Sequence, residues 1–380
     1  MLSYLNRNQR LLLGSYFIWS FGIMLYWHLQ PLYIAQLGAS PGEIGFVLGV
    51  SGLLVTAFYI PVGMWADRRG RKPVMIAGWT TGMVSALLMA LAPDWRWVIP
   101  AQIVFNMANF SMPAANGYTA ASCTPGQNVA RVFALMFSVS AIGSIISPAL
   151  GGWLAEVIGL RAVYGIAIGL FGISTLFIFF LDPQPVQATR ATANPRQLLF
   201  NLPFLLQVFF AFYTFFVLEL GQVLMPKFLQ DVRGLSLSQI GWMGTAAAVS
   251  VAILSLVWSQ FPTEKPWAFW LSQMAAIAGL LVWLSFPHPA FIMFAYFIYG
   301  GERTARSLIS ARLTRSLTPA TVSLGYGFYE TALRLSLALA PSAAGFLYTH
   351  NPAWPLLVSL LGLIVAVPLA GFIPFGKQPE

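Results

Sequence analysis

Residues 63–73 read Gly63-Met64-Trp65-Ala66-Asp67-Arg68-Arg69-Gly70-Arg71-Lys72-Pro73. An apolar run at 43–65 leads into this segment and another at 73–93 leaves it, so a short loop with one acid and four bases joins two long apolar stretches. A bilayer core of about 30 Å needs roughly 20 apolar residues in helical form. Helix is the required geometry, because lipid offers no partner to an unpaired backbone amide or carbonyl.

Working outward, the same pattern fills the chain. Apolar runs lie at 11–34, 43–65, 73–93, 97–121, 130–157, 161–182, 199–229, 237–260, 267–286, 290–312, 320–349 and 353–375, and the seventh is long enough to be broken. The sequence therefore predicts an all-α membrane protein of twelve transmembrane helices. Composition agrees: 58% of the 380 residues are hydrophobic and 8% are charged, against roughly 25% charged in soluble domains. The net charge of +9 does not point to nucleic acid, because the bases form short clusters between apolar runs and make no single stripe. The single cysteine, Cys123, rules out an internal disulfide and argues against a cysteine metal site. The first run is too long for the core of a cleavable signal and reads as the first span.

Lys and Arg favour cytoplasmic loops. With both termini inside, the inner segments hold Arg7, Arg10, Arg68, Arg69, Arg71, Lys72, Arg131, Arg190, Arg196, Lys265, Arg312, Arg315 and Lys377, and the outer loops hold only Arg96, Arg161, Lys227 and Arg233. Arg303, Arg306 and Arg334 fall inside predicted spans. This bias predicts a multi-pass protein of the inner (plasma) membrane with both ends in the cytoplasm.

The one long polar interruption, 183–198, divides the chain into a six-helix bundle at 1–182, a cytoplasmic linker and a second six-helix bundle at 199–380. The halves resemble each other at an offset near 195. Ser40, Ile44 and Gly45 match Ser236, Ile240 and Gly241; Pro31 matches Pro226; Lys72-Pro73 matches Lys265-Pro266; Thr124-Pro125 matches Thr318-Pro319. The spacing Pro148 to Gly152 recurs as Pro341 to Gly345. A duplicated unit accounts for their common order, and two similar bundles are what alternating access requires.

The opening loop closely resembles the signature of the major facilitator superfamily, G-x-x-x-D-R-x-G-R-K, carried here by Gly63, Asp67, Arg68, Gly70, Arg71 and Lys72. It stands after span two, where that family has it. The resemblance implies two pseudo-symmetric six-helix bundles. It also implies that Asp67 and the loop arginines latch the halves on the cytoplasmic face. An anion suits a helix N-terminus, and Thr318-Pro319 reads as one, with an N-cap followed by Pro. The same bases also suit anionic lipid.

Span five carries Gly143, Ser147, Pro148, Gly151 and Gly152, similar to the family's antiporter motif G-x-x-x-G-P-x-x-G-G with Ser147 replacing one glycine. Small residues permit close helix crossing and Pro148 adds a bend. The related span-four motif would supply an arginine near 101–110, where this chain has Gln102, Asn106 and Asn109 instead.

Ionisable residues within spans are costly and usually face a cavity or a partner. Glu219, Glu302, Glu330 and His28 are the proton-coupling candidates. Glu302 with Arg306, and Glu330 with Arg334, stand four apart on a helix face, a spacing that suits pairing. The resemblance places spans one, four, seven and ten around a central cavity. The candidate cavity residues are Trp19, Tyr26, Gln30, Asn106, Asn109, Gln222, Tyr299, Arg303, Arg306 and Arg334. Arginine binds anionic groups bidentately, and aromatic side chains suit an amphipathic ligand.

Together these features predict a secondary transporter of a small organic solute, proton-coupled, with efflux of amphipathic compounds ahead of uptake or exchange of an organic anion or sugar. The expected partners are the solute, protons and lipid, with no nucleic acid, and a monomer suffices. An enzyme is not expected: the loops are short, the three histidines are scattered, and no nucleophile–base pair, metal cluster or phosphate loop stands out. No cofactor or metal is expected.

Overall fold

The computed structural model describes residues 4–56, 70–184, 201–259, 266–300, 317 and 322–372. Gly63, Asp67, Arg68, Glu302, Arg303, Arg306, Thr318-Pro319 and residues 185–198 of the linker lie outside the described residues.

Among the described residues, each of the twelve apolar runs contains helix. In chain order the helices are α1 (Arg7–Met24), α2 (Gln30–Gln36), α3 (Pro41–Thr56), α4 (Arg71–Leu91), α5 (Val98–Met107), α6 (Met112–Ala121), α7 (Val129–Ile158) and α8 (Leu160–Phe179). They continue as α9 (Leu202–Gln222), α10 (Met225–Asp231), α11 (Leu237–Ser259), α12 (Pro266–Ser285), α13 (Pro289–Tyr299), α14 (Val322–His350) and α15 (Trp354–Phe372). Among the described residues, six segments are long and apolar enough to cross a membrane, and four shorter helices are apolar.

Local chemistry sets the ends. Asn6 and Gln9 form a reciprocal capping box at α1, and Asn128 and Asn201 cap α7 and α9 with their side chains. Gly159, at φ +88°, makes the one-residue turn from α7 to α8 that a side chain would strain.

Spans one and seven are both broken. The first breaks at a 3-10 turn, Trp27–Leu29, before α2; the seventh breaks at Val223-Leu224 before α10. The short helices α2 and α10 each have seven residues, with Pro31 and Pro226 at their second position. Proline lacks an N–H and fits best in a helix's first turn, which is where Pro31 and Pro226 stand. The duplication is thus written into backbone geometry. The turn glycines that follow, Gly38 and Gly234, also correspond, and both have positive φ.

The described chain forms two compact units. The first comprises residues 1–39, 51–189 and 236–245; the second comprises 40–50, 190–235 and 246–380. The core of the first includes Leu12, Met75, Trp79, Tyr118, Met136 and Ile178, and that of the second Phe204, Ala211, Tyr329, Leu333 and Ala366.

Three of the four bases that the charge bias leaves on the other side have a structural task. Arg161 donates to the carbonyl of Ala92 at the end of α4 (2.6 Å), and Arg233 donates to those of Trp283 and Leu284 at the end of α12 (2.8 and 2.9 Å). Lys227 pairs with Asp231 at 2.9 Å. Arg161 and Arg233 stand at helix C-termini, where a cation satisfies orphan carbonyls and complements the dipole.

Candidate functional site

The glycine motif of α7 has two working faces. On one, Gly143, Ser147 and Gly151 meet α1 at matching four-residue steps. A Cβ built on Gly143 would lie 3.0 Å from the carbonyl oxygen of Phe17, and one on Gly151 would lie 2.8 Å from the Cα of Leu25. Between them the Ser147 hydroxyl donates to the carbonyl of Phe21. Serine thus gives a hydrogen bond where the family's glycine would give only space.

On the other face, Pro148 and Gly152 meet the first turns of α11. A Cβ on Gly152 would lie 2.9 Å from the Cα of Gly241, and one on Gly241 would lie 2.5 Å from the carbonyl oxygen of Pro148. The two backbones touch with no side chain between. Thr245 completes the join: its hydroxyl donates to the carbonyl of Ile145 (2.9 Å) and accepts from the amide of Ala149 (3.2 Å). It occupies the helix ladder beside Pro148, where a bend leaves room for an outside partner.

The second unit repeats this crossing. A Cβ on Gly45 of α3 would lie 2.9 Å from the Cα of Gly345 on α14 and would collide with the carbonyl of Pro341. The matched pairs Gly45/Gly241, Pro148/Pro341 and Gly152/Gly345 are therefore matched contacts. Sequence reasoning paired these positions but did not identify Thr245, whose counterpart at the same offset is Gly49, itself pressed against the carbonyl of Ala338 on α14.

His28 sits in the 3-10 turn of the first span, half-buried. Its ring lies against the α7–α11 crossing, where a Cβ on Gly244 would come within 2.6 Å of the ring and 2.9 Å of Pro148 Cβ. The broken span thus places an imidazole at the kink of α7. Gln30, at the start of α2, is buried.

Among the aromatics, Trp19 stacks against Trp79 and Phe171 at 5.1 and 4.7 Å, over Gly82 of α4. Tyr26 is buried against Tyr164 at 4.5 Å. In the second unit, Tyr299 is buried against Trp283 at 4.7 Å, and its hydroxyl donates to the carbonyl of Leu218 on α9 (2.8 Å). Span four is interrupted by the 3-10 turn Ala108–Ser111; Asn106 lies just before it and Asn109 within it, both half-buried, and the Asn106 amide donates to the carbonyl of Gln102.

The second unit holds the mid-span charges that the structure describes. Glu219 is half-buried in the last turn of α9, with Gln222 three residues on. Glu330 and Arg334 are half-buried one turn apart near the middle of α14. The ion pairs between described residues are Arg7–Asp182 and Lys227–Asp231, so the four-residue spacing on α14 does not produce a pair between Glu330 and Arg334. Helices α9 and α14 pack directly, through Phe204, Phe210 and Ala211 against Tyr329 and Leu333.

At the signature loop, Gly70 is buried with φ +83°, a conformation that glycine adopts freely, and starts α4. Arg71 donates to Gln184 Oε1 (3.1 Å), and Gln184 donates to the carbonyl of Tyr118 (3.1 Å). Lys72 lies 5.7 Å over the Phe179 ring. These bases therefore fasten the start of the linker and the ends of α6 and α8 in the first unit.

Comparison with known proteins adds three findings. A model described as "Major Facilitator Superfamily" matches residues 12–305. The multi-drug resistance efflux pump PmrA of Streptococcus pneumoniae is 22% identical over 354 residues, 88% of each chain, and the quinolone resistance protein NorA of Staphylococcus aureus is 20% identical over 379 residues, 96% of each. Among solved structures, a mutant of the nucleoside transporter NupG superposes with a TM-score of 0.83 at 15% identity, covering 97% of this chain and all of that one. At that identity the superposition speaks to the fold.

Proposed function

The chain belongs to the major facilitator superfamily, and on that premise we propose that it exports amphipathic organic compounds in exchange for protons. It is a multi-pass transporter of the inner membrane and not an enzyme. In the proposed cycle, two homologous bundles rock about a central site, the termini lie in the cytoplasm, and one duplicated chain works as a monomer among lipids.

The observation that carries the coupling is the pair of half-buried carboxylates, Glu219 and Glu330, on apolar helices α9 and α14. A carboxylate within a span is costly unless it serves a pathway. One whose surroundings alternate between dry and wet takes up and releases a proton as the cavity closes and opens. Glu302 is a third candidate, and His28, wedged at the kink of α7, a fourth. The direction rests on the efflux pumps that this chain resembles along most of its length and on the α7 motif. Asp67 and Arg68 act in this reading as the cytoplasmic latch, with Gly63 allowing close approach.

A second reading, uptake or exchange of an organic anion, draws on Arg334. This cation is half-buried at mid-helix and has no ion pair with any described residue. A substrate carboxylate or phosphate would neutralise it; Arg303 and Arg306 are further candidates from the sequence.

Flux of a cationic dye in sealed vesicles under an imposed pH gradient tests the proposal. Dye movement should follow the gradient, and Glu219→Gln or Glu330→Gln should lower gradient-driven flux at least tenfold. Flux indifferent to the gradient, with Glu219, Glu302 and Glu330 each replaceable by Gln, would refute proton coupling.

A further inference from the structure

The two matched crossings differ in where their carboxylate sits. At α3 the acid belongs to the helix it caps: the backbone N–H and hydroxyl of Ser40 both donate to Glu43 Oε2 at 2.8 Å. The corresponding residue of α11 is Gln239, a neutral amide that accepts from the Ser236 N–H at 2.9 Å. The missing acid is supplied from across the crossing. Glu156, one turn beyond Gly152 on α7, accepts from the Ser236 hydroxyl (3.2 Å) and the Ser238 N–H (3.1 Å). Its counterpart on α14 is Thr349, which turns its hydroxyl back to Phe346 of its own helix.

Glu156 is poorly placed by its own helix. It lies in the last turn of α7, where the dipole disfavours an anion; the first turn of α11 favours one. Charge-assisted hydrogen bonds are the stronger kind. The carboxylate is therefore stabilised only while the first turn of α11 lies against α7, and the direct backbone contact at Gly152 and Gly241 brings it there.

We propose that Glu156 is a carboxylate latch that clasps α7 to the first turn of α11 and holds that crossing closed, with no equivalent carboxylate bond seen between α14 and α3 among the described residues. It makes two crossings of the same backbone design unequal, so that α7–α11 resists parting more than α3–α14. The proposal rests on the alternating-access reading above for its purpose, but not on substrate or coupling ion.

The test uses the full-length protein in nanodiscs with Cys123→Ser and a reporter thiol, Ser238→Cys, which preserves the Ser238 backbone donor. Glu156→Ala should raise the maleimide labelling rate of the reporter about fivefold, in line with losing one helix-terminus and hydrogen-bond interaction. If that variant does not fold, Glu156→Gln is read instead and should give at least a twofold rise. Adding Gln239→Glu to Glu156→Ala separates latch from cap: the new acid restores the cap within α11, as Glu43 does for α3, so thermal stability should recover while labelling stays fast. Labelling unchanged by the loss of Glu156, or returned to the parental rate by Gln239→Glu, would overturn the latch. Labelling needs no substrate, so a failure of dye flux and a failure of the latch are read independently.

Discussion

Gly151→Ala and Gly165→Ala are the same chemical change in two adjacent helices of one unit, and their surroundings demand opposite outcomes. At Gly165 a new Cβ meets nothing within 4 Å, so the substitution should help by glycine's helix penalty, up to about 1 kcal/mol. At Gly151 the Cβ would lie 2.6 Å from the carbonyl carbon of Leu25 and 2.8 Å from its Cα. Carbon–carbon contacts are comfortable only at about 3.5–4.0 Å, so α1 and α7 must part by roughly 1 Å. The obstacle is backbone and cannot change rotamer. Such overpacking costs about 1–3 kcal/mol, and parting the helices also weakens the Ser147 bond to Phe21 one turn away, worth about 1 kcal/mol. After crediting alanine's helix propensity, Gly151→Ala should lose about 2 kcal/mol and Gly165→Ala should lose none. Thermal unfolding of the two variants, purified side by side in one detergent, measures the difference; Gly151→Ala should unfold several degrees lower. Equal midpoints would mean that α1 and α7 are not in backbone contact at Leu25, and the account of the glycine motif would fall.

Thr245→Val keeps shape but removes the hydroxyl that serves Ile145 and Ala149. It should cost about 1–2 kcal/mol in the same assay, and Thr245→Ser should recover most of it. Arg233→Met should lower the midpoint by a similar amount, because the carbonyls of Trp283 and Leu284 lose their donor, yet leave protease-mapped topology unchanged. Burial pushes the Cys123 thiol up from its ordinary value. Less thiolate is therefore present near neutrality, and maleimide labelling should be slow at pH 7, rise as pH climbs towards 9, and match a free cysteine once the protein is unfolded in SDS.

The helical runs were legible because their signal is one-dimensional: each must be apolar for a bilayer's thickness wherever it ends up. The break in the seventh run could be suspected from its length. That in the first could have been found by carrying the break suspected near Pro226 back to the matched Pro31; a matched proline alone is not enough, since Pro148 and Pro341 match inside helices. Individual partners were less legible. Trp19, Tyr26 and Tyr299 look alike whether they line a cavity or a core, and only the fold sets Trp19 over Gly82 and ties Tyr299 to Leu218. Glu330 and Arg334 have ideal spacing for an ion pair and do not form one, because spacing gives proximity on a helix face and not side-chain direction.

From the sequence alone came the membrane, the helices, the duplication and the family, all of which follow from periodicity, composition and local motifs. Tertiary structure decided which face of each motif meets which neighbour. It showed that Gly143, Ser147 and Gly151 serve α1 while Pro148 and Gly152 serve α11, and that the acid capping α11 comes from another helix. Residues 80 or more positions apart, such as Glu156 and Ser236, leave no mark on each other locally. Their contact exists because two helices cross without side chains between them, and that is a property of the packed backbone.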